Sequence, residues 1–170
     1  SGSIDMMAHL TTTQAKQLGD DYNVVEGTMN LVQGLYLNNS FEPFRNEQVR
    51  QALCYGIDRD EIIDMVSDGK GVKVGSSMFP NFRKYFEPEL ADKYSYDVDK
   101  AKELLAEAGY GDGFSFTITV PANYPQHVDT AQIIAEQLKK IGVTAEINQV
   151  EWNTWLDDTY GNRNFEATLV

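Results

Sequence analysis

The last third of the chain alternates between strand-like and helix-like patterns of apolar residues. Residues 114–120 alternate between apolar and polar side chains, which predicts a half-buried strand. A helical period follows, and its inward positions are Val128, Ala131, Ala135, Leu138 and Ile141. Strand patterns return at residues 143–147 and 165–170, with a helical segment at 151–160 between them. This order predicts an α/β fold in which helices pack on a sheet.

Two helices are predicted to meet at a sharp corner near Asp58. Residues 46–57 place apolar side chains on one helical face, which consists of Val49, Ala52, Leu53, Gly56 and Ile57. Asp58 is followed three residues later by Glu61, the spacing of a capping box that begins a new helix. The second helix therefore starts directly after the first ends.

The patterns in the remaining segments predict two further helices, two short strands and a loop. Threonines precede a short helix over residues 14–18, and Asp97 caps a further helix. Residues 22–26 and 30–38 have the character of strands. Residues 71–96 contain two prolines and several aromatic residues without a regular period, which predicts a long surface loop.

Composition and charge narrow the classes of function. The chain has 170 residues, of which 42% are hydrophobic, and this is enough for one domain with a real core. The net charge of -12 repels phosphate backbones, which argues against a nucleic-acid partner. The sequence has no apolar run of the roughly 20 residues that span a membrane and no signal-peptide pattern.

Residues that could carry catalysis are scarce. The two histidines, His9 and His127, have no further metal ligand at a suitable spacing, so neither a metal site nor another cofactor is predicted. The single cysteine, Cys54, falls in an apolar helical stretch and is predicted to be a buried, inert thiol. The sequence lacks a nucleophile with a neighbouring base, which disfavours a small α/β hydrolase.

Aromatic and amide residues follow two of the predicted strands. Asn123, Tyr124 and His127 lie after the first of these strands, and Trp152 lies after the next. Ligands of open α/β sheets bind beyond the carboxyl ends of the strands, so these residues are candidates for a binding site. Trp155 continues an apolar face and is predicted to be core. For Trp152 and Tyr124, packing and ligand binding are both open from the pattern alone.

Three segments, in order, resemble the oligopeptide-, dipeptide- and nickel-binding proteins of ABC importers, family 5 of the bacterial extracellular solute-binding proteins. The first segment consists of residues 37–53 together with residues 57–60. It is similar to a family motif that contains Asn, Pro-Phe, Val-Arg and Asp-Arg in that order. Residues 97–113 resemble its segment with Lys-Ala, Leu-Leu and Ala-Gly-Tyr. Gln132 and residues 138–143 match a third motif. Val98, in place of a common proline, is a small departure.

The resemblance implies a fold and a set of partners. The fold is one lobe of a type 2 periplasmic-binding protein, a mixed sheet flanked by helices, with residues 1–170 as a single domain that corresponds to the second lobe. A solute binds between the two lobes in that family, so the implied partners are a peptide or other small solute, the first lobe and an ABC transporter permease. The implied location is extracytoplasmic, in the periplasm or at the cell surface, with a lipid anchor as an option.

The resemblance also implies roles for individual residues and leaves alternatives. Trp152 matches a family tryptophan that lines side-chain pockets, and His127 lies near a position that meets the ligand carboxylate in oligopeptide binders. Tyr124 and Asn123 are further candidate ligand-binding residues because they are neighbours of His127 in the sequence. The alternative for His127 is a histidine on the helix surface that contacts no ligand. Arg50 and Arg59 are expected to fix the helical corner through ion pairs. The solute is expected to be a peptide, with an oligosaccharide or nickel chelate as the alternative, and a pure interaction module is a further class.

Overall fold

A computed structural model describes residues 4–8 and 10–170, which form two compact units, Ser1–Asn30 and Leu31–Val170. The first unit contains helix α1, Thr12–Leu18, whose predicted cap is confirmed because Thr11 and Gln14 cap each other's backbone N–H groups. A 3-10 turn, Gly19–Asp21, follows. The strand predicted at residues 22–26 is wrong, since these exposed residues form no ladder and a brief alternation cannot identify a strand. His9 lies outside the described residues.

The described part of the second unit contains a four-stranded mixed sheet in the order β1-β4-β2-β3. The strands are β1 (Leu35–Leu37), β2 (Phe114–Pro121), β3 (Val143–Val150) and β4 (Ala167–Leu169). β2 pairs in parallel with both β3 and β4, and β1 pairs antiparallel with β4. The mixed α/β sheet is thus confirmed, although β1 and β4 are shorter than the predicted strands.

Four helices supply most of the core: α2 (Glu42–Arg45), α3 (Glu47–Gly56), α5 (Val98–Glu107) and α6 (Pro125–Lys139). A fifth helix, α4 (Arg59–Ser67), has no buried residue. Phe44 is fully buried, and its ring lies edge-on to Phe41, Phe114 and Phe116, with centroids 5.1, 5.9 and 5.1 Å away. These contacts attach α2 to the start of β2. None of the described helices has the length and apolar character needed to cross a membrane.

The predicted corner between α3 and α4 is confirmed, but a residue from α6 completes it. The Asp58 carboxylate accepts from the backbone N–H groups of Asp60 and Glu61, both at 3.1 Å. The reciprocal bond of a capping box is absent, because Asp58 N–H donates to Gln137 Oε1 at 3.0 Å instead. Gln137 Nε2 then donates to Asp58 O and to Glu61 Oε2, at 3.1 and 2.7 Å. The buried Gln137 side chain therefore joins α6 to the corner.

The long loop at residues 71–96 is confirmed, with one 3-10 turn, Pro88–Asp92, within it. Arg59 fastens the loop by donating to the carbonyl oxygens of Val74, at 3.0 Å, and Ala91. Arg50 donates to the carbonyl oxygens of Phe44 and Arg45. Within residues 4–8 and 10–170 neither arginine forms an ion pair, so that part of the expectation is wrong. Their structural role stands, because the N–H donors of a guanidinium also bind backbone carbonyl oxygens.

Cys54 is exposed, which corrects the prediction of a buried thiol. The apolar stretch misled the prediction, because Cys54 lies on the outer face of α3 beside the buried positions Ala52 and Leu53. Neighbouring groups still remove water from part of the thiol, and this desolvation raises its pKa. The sulfur therefore stays protonated and unreactive at neutral pH.

Replacing Gln137 with methionine should destabilise the fold. The change keeps the volume but leaves the N–H and carbonyl groups of Asp58 without their partner, which costs about 2–3 kcal/mol of the free energy of unfolding. Urea denaturation measures the loss, with Gln132→Met on the exposed side of α6 as the control. A loss below about 0.5 kcal/mol, the usual range of surface substitutions, would contradict the role of Gln137.

Candidate functional site

The carboxyl ends of the three parallel strands lie at one edge of the sheet. After β2, Ala122 N–H donates to Val150 O at 2.8 Å, so the loop that follows β2 is held against the end of β3. Pro125 then begins α6. After β3, Glu151 accepts from the N–H groups of Asn153 and Thr154 and so caps a helical segment. That segment is α7 (Trp152–Thr154), which continues as a π-helix, Trp155–Gly161.

Five ring side chains form a continuous series along this edge, called here the aromatic row: His127, Tyr124, Trp152, Trp155 and Tyr160. Neighbouring ring centroids are 5.5, 5.3, 5.4 and 5.9 Å apart in that order. Tyr124 meets Trp152 edge-on, and Trp152 stacks on Trp155 with an angle of 6° between the ring planes. Both arrangements are favourable for aromatic pairs. The fold thus brings together three of the predicted site residues, and Asn123 lies exposed in the same loop as Tyr124.

Trp155 is the structural anchor of the aromatic row. It is buried, as predicted, and its Nε1–H donates to the hydroxyl of Thr168 at 3.0 Å. The same hydroxyl donates to Thr119 O at 2.7 Å, which connects the π-helix to β4 and β2. Trp152 and Tyr124 are only half-buried. Their open surface is therefore available to a ligand, while their inner surface packs on the anchor.

Gln33 is a further residue at this edge, and the sequence did not indicate it. Its Nε2 lies 2.6 Å from His127 Nδ1 and 3.3 Å from Gln126 O. It reaches the edge because β1 runs antiparallel, so the residues before β1 lie beside the ends of the parallel strands. Only the strand order could have revealed this, since nothing in the residues around Gln33 marks a site.

His127 is half-buried, and this burial lowers the pKa of its imidazole below the ordinary value of 6.5. The ring is therefore neutral at pH 7. Within residues 4–8 and 10–170, His127 has no ion pair with a carboxylate that would oppose this effect. The edge thus offers apolar rings and uncharged hydrogen-bonding groups.

A cavity of about 490 Å³ lies on the sheet face that the π-helix covers. Its lining includes Thr117 and Thr119 of β2, Asn148 of β3 and Asp158 of the π-helix. Of the five side chains in the aromatic row, none lines this cavity. No group of three or more histidine, cysteine or acidic side chains converges on a metal-binding position within the described residues.

Comparisons with known proteins give a consistent family. The model of the family described as bacterial extracellular solute-binding proteins, family 5 Middle, matches residues 1–170. The oligopeptide-binding protein AppA of Bacillus subtilis is 35% identical over 146 residues, which are 78% of this chain and 27% of AppA. Heme-binding protein A of Haemophilus influenzae is 40% identical over 119 residues, 68% of this chain and 21% of that protein. The chain thus spans about a quarter of the length of these relatives.

Solved structures show the same relationship. AgaA of A. tumefaciens R10, in complex with agropinic acid, has a TM-score of 0.73 and 31% identity, covering 81% of this chain and 28% of AgaA. The structure of B. subtilis AppA in complex with a nonapeptide has a TM-score of 0.71 and 31% identity, covering 81% of this chain and 30% of AppA. These relatives are solute-binding proteins rather than enzymes. Members of this family work in the periplasm or elsewhere outside the cytoplasm.

The two tryptophans should differ in what their removal costs. Trp155→Ala leaves a large cavity and removes the N–H that the Thr168 hydroxyl accepts, so it should lower the free energy of unfolding by about 3–5 kcal/mol. Trp152→Ala removes a half-buried ring and should cost about 1 kcal/mol. Urea denaturation of both variants measures the difference. Equal losses would contradict the division between an anchor and a ring that is open to a ligand.

The lowered pKa of His127 predicts a pH dependence of stability. The unfolded chain binds a proton at His127 near pH 6.5, whereas the folded chain binds it only at lower pH. Stability therefore falls as pH drops below about 6.5, and above that value His127 has no effect. The free energy of unfolding, measured between about pH 7.5 and 5.5, should fall more for the unmodified chain than for His127→Gln. A larger fall in His127→Gln would mean that the folded state raises the pKa.

Proposed function

The chain belongs to family 5 of the bacterial extracellular solute-binding proteins, and we propose that it is the second lobe of a two-lobed protein that captures peptides for an ABC importer. The aromatic row at the carboxyl edge of the parallel strands is the observation that carries this proposal. Ligands of open α/β sheets bind at that edge. The family's solute-binding character and the peptide-binding relative AppA support the same conclusion.

A peptide fits the chemistry of the edge. Apolar rings accept side chains of many shapes, because burial of apolar surface has no directional requirement. The exposed amide of Asn123 and the imidazole of His127 are uncharged groups that can bind the main chain of a ligand. Trp152 and Tyr124 would form the wall against which a ligand side chain packs. Recognition through the main chain and a permissive wall suits a ligand of variable sequence.

A non-peptide solute is the second candidate, because relatives with this fold bind different compounds. AgaA was solved with agropinic acid, and the H. influenzae relative is named for heme. Aromatic rings also stack on flat or sugar-like ligands, so the row is compatible with them. An enzymatic function has less support. The exposed thiol of Cys54 has a raised pKa, and His127 contacts a glutamine instead of a nucleophile.

The lobe would work as one half of a cleft. The other partners of this proposal are the first lobe of the same protein and the permease of the importer, and the location is outside the cytoplasm, with a lipid anchor as an option. One lobe supplies only part of the contacts of the complete cleft, whereas the free-energy cost of immobilising a ligand is nearly the same for one lobe as for two. The chain alone is therefore expected to bind peptides weakly, and the complete protein tightly.

The decisive test measures peptide affinity in the complete protein that contains this chain. Trp152→Ala should weaken binding of a synthetic nonapeptide by about tenfold or more, a loss of at least about 1.4 kcal/mol. Isothermal titration calorimetry after removal of any co-purified ligand gives the affinities. The control is Met65→Ala, an exposed side chain on α4, which is joined to the opposite end of α6 through Glu61 and Gln137. An unchanged affinity in Trp152→Ala would contradict the assignment of the edge as the peptide site.

A further inference from the structure

The contact with Gln126 favours one orientation of the Gln33 side-chain amide. Nε2 lies 3.3 Å from the carbonyl oxygen of Gln126, and Oε1 lies 3.1 Å from the hydroxyl of Thr130. That hydroxyl also donates to Gln126 O at 2.7 Å, so Gln126 O is the contact that distinguishes the two ends of the amide. A carbonyl oxygen can only accept, so the group that faces Gln126 must be the NH₂ of the amide. The reverse orientation would place two oxygens against each other. The second N–H of the same NH₂ then points to His127 Nδ1, at 2.6 Å.

This orientation determines which nitrogen of His127 carries the proton. Nδ1 receives an N–H from Gln33 and must therefore be the unprotonated acceptor, which leaves the hydrogen on Nε2. An imidazolium would bring two donors together at Nδ1 unless the Gln33 amide turned over and lost its bond to Gln126. Burial lowers the pKa of His127 in the same direction. Both effects favour the neutral ring.

The Nε2–H of His127 is not sealed inside the protein. Among the described residues, Nε2 has no hydrogen-bond partner and no fully buried side-chain nitrogen or oxygen lacks one, so Nε2 is at least partly exposed. The ring stands beside Tyr124, which contacts Trp152, so the donor lies at the end of the aromatic row. Among the described residues, the side chains in ring contact or hydrogen-bond contact with His127 are those of Tyr124 and Gln33, a phenol and an amide.

We propose that Gln33 is a positioning residue that holds His127 as the neutral, Nε2-protonated tautomer, so that this edge offers its ligand an uncharged N–H donor. Such a donor suits a neutral acceptor, such as a carbonyl within a peptide chain. It suits a terminal carboxylate less well, because a carboxylate gains most from a charged partner. The geometry thus favours a neutral acceptor over the carboxylate that the family resemblance implies for this position. The part of the inference that concerns the ligand rests on the proposed peptide-binding function.

The tautomer can be measured on this chain without any ligand. Two-bond ¹⁵N–¹H correlation spectra distinguish the protonated from the unprotonated nitrogen of each imidazole, and His127→Gln identifies which of the two histidines gives which signals. We expect an unprotonated Nδ1 in the unmodified chain and a mixture of both tautomers in Gln33→Met. In Gln33→Glu, a carboxylate faces Nδ1, so the proton should move to Nδ1 and the pKa of His127 should rise. Gln132→Glu adds the same charge at an exposed position of α6 and controls for it.

A protonated Nδ1 in the unmodified chain would overturn the proposal, as would a tautomer that Gln33→Met leaves unchanged. Far-ultraviolet circular dichroism checks that each variant is folded. A merely structural role of Gln33 would change stability but would leave the tautomer of a folded variant unaltered.

A second experiment tests the part of the inference that concerns the ligand. It uses the complete protein and one peptide in two forms, which end in a free carboxylate or in a carboxyl-terminal amide. We expect Gln33→Glu to shift the ratio of the two affinities toward the free carboxylate by severalfold, because His127 becomes charged. An unchanged ratio with both peptides bound would overturn the ligand part of the inference alone. Failure of both peptides to bind the unmodified protein would instead overturn the proposed function, while the tautomer measurement still decides the role of Gln33.

Discussion

The parallel pairing of β2 with β3 and β4 brings the residues of the candidate site together. Because these three strands run in one direction, their carboxyl ends and the segments that follow them share one edge of the sheet. The pairing also decides which side chains face the helices. A slip of one residue between β2 and β4 would exchange Ala167 with Thr168 and would separate Thr168 from Trp155. The anchor of the aromatic row therefore exists only in the observed register.

The edge differs in character from the rest of the chain. The chain has a net charge of -12, yet the rings of Trp152 and His127 contact other rings and the neutral amide of Gln33, while the neighbouring carboxylate of Glu151 caps a helix. Binding at such an edge draws on apolar contact and on neutral hydrogen bonds, so it tolerates variation in a ligand better than a set of ion pairs would.

The sequence predicts most of the fold because its local patterns agree with the tertiary structure. The apolar face of α6 and the caps at Asp58 and Asp97 depend on residues close together in the chain, and all are confirmed. The alternation of β2 holds only as far as Ile118, because both faces of the strand are buried after that residue. The sequence also indicated that Tyr124, His127 and Trp152 lie at one edge of the sheet. This was possible because consecutive parallel strands of an α/β unit end at the same edge.

What the sequence could not predict depends on contacts between distant residues. Gln33 meets His127 across 94 positions, and Gln137 meets Asp58 across 79. Neither glutamine belongs to a motif, because any residue of suitable length and polarity could occupy such a place. Cys54 shows the opposite error, in which an apolar neighbourhood in the sequence did not mean burial in the structure. A shift of one residue along a helix, as from Leu53 to Cys54, turns the side chain from the buried face toward the exposed face.

If this edge forms half of a cleft for peptides, the complete protein should carry peptides when it is purified from cells without added ligand. Native mass spectrometry should then detect a set of co-purified masses that fragment as short peptides of varied sequence. A single co-purified compound of another class, such as a sugar or a metal chelate, would contradict the peptide assignment.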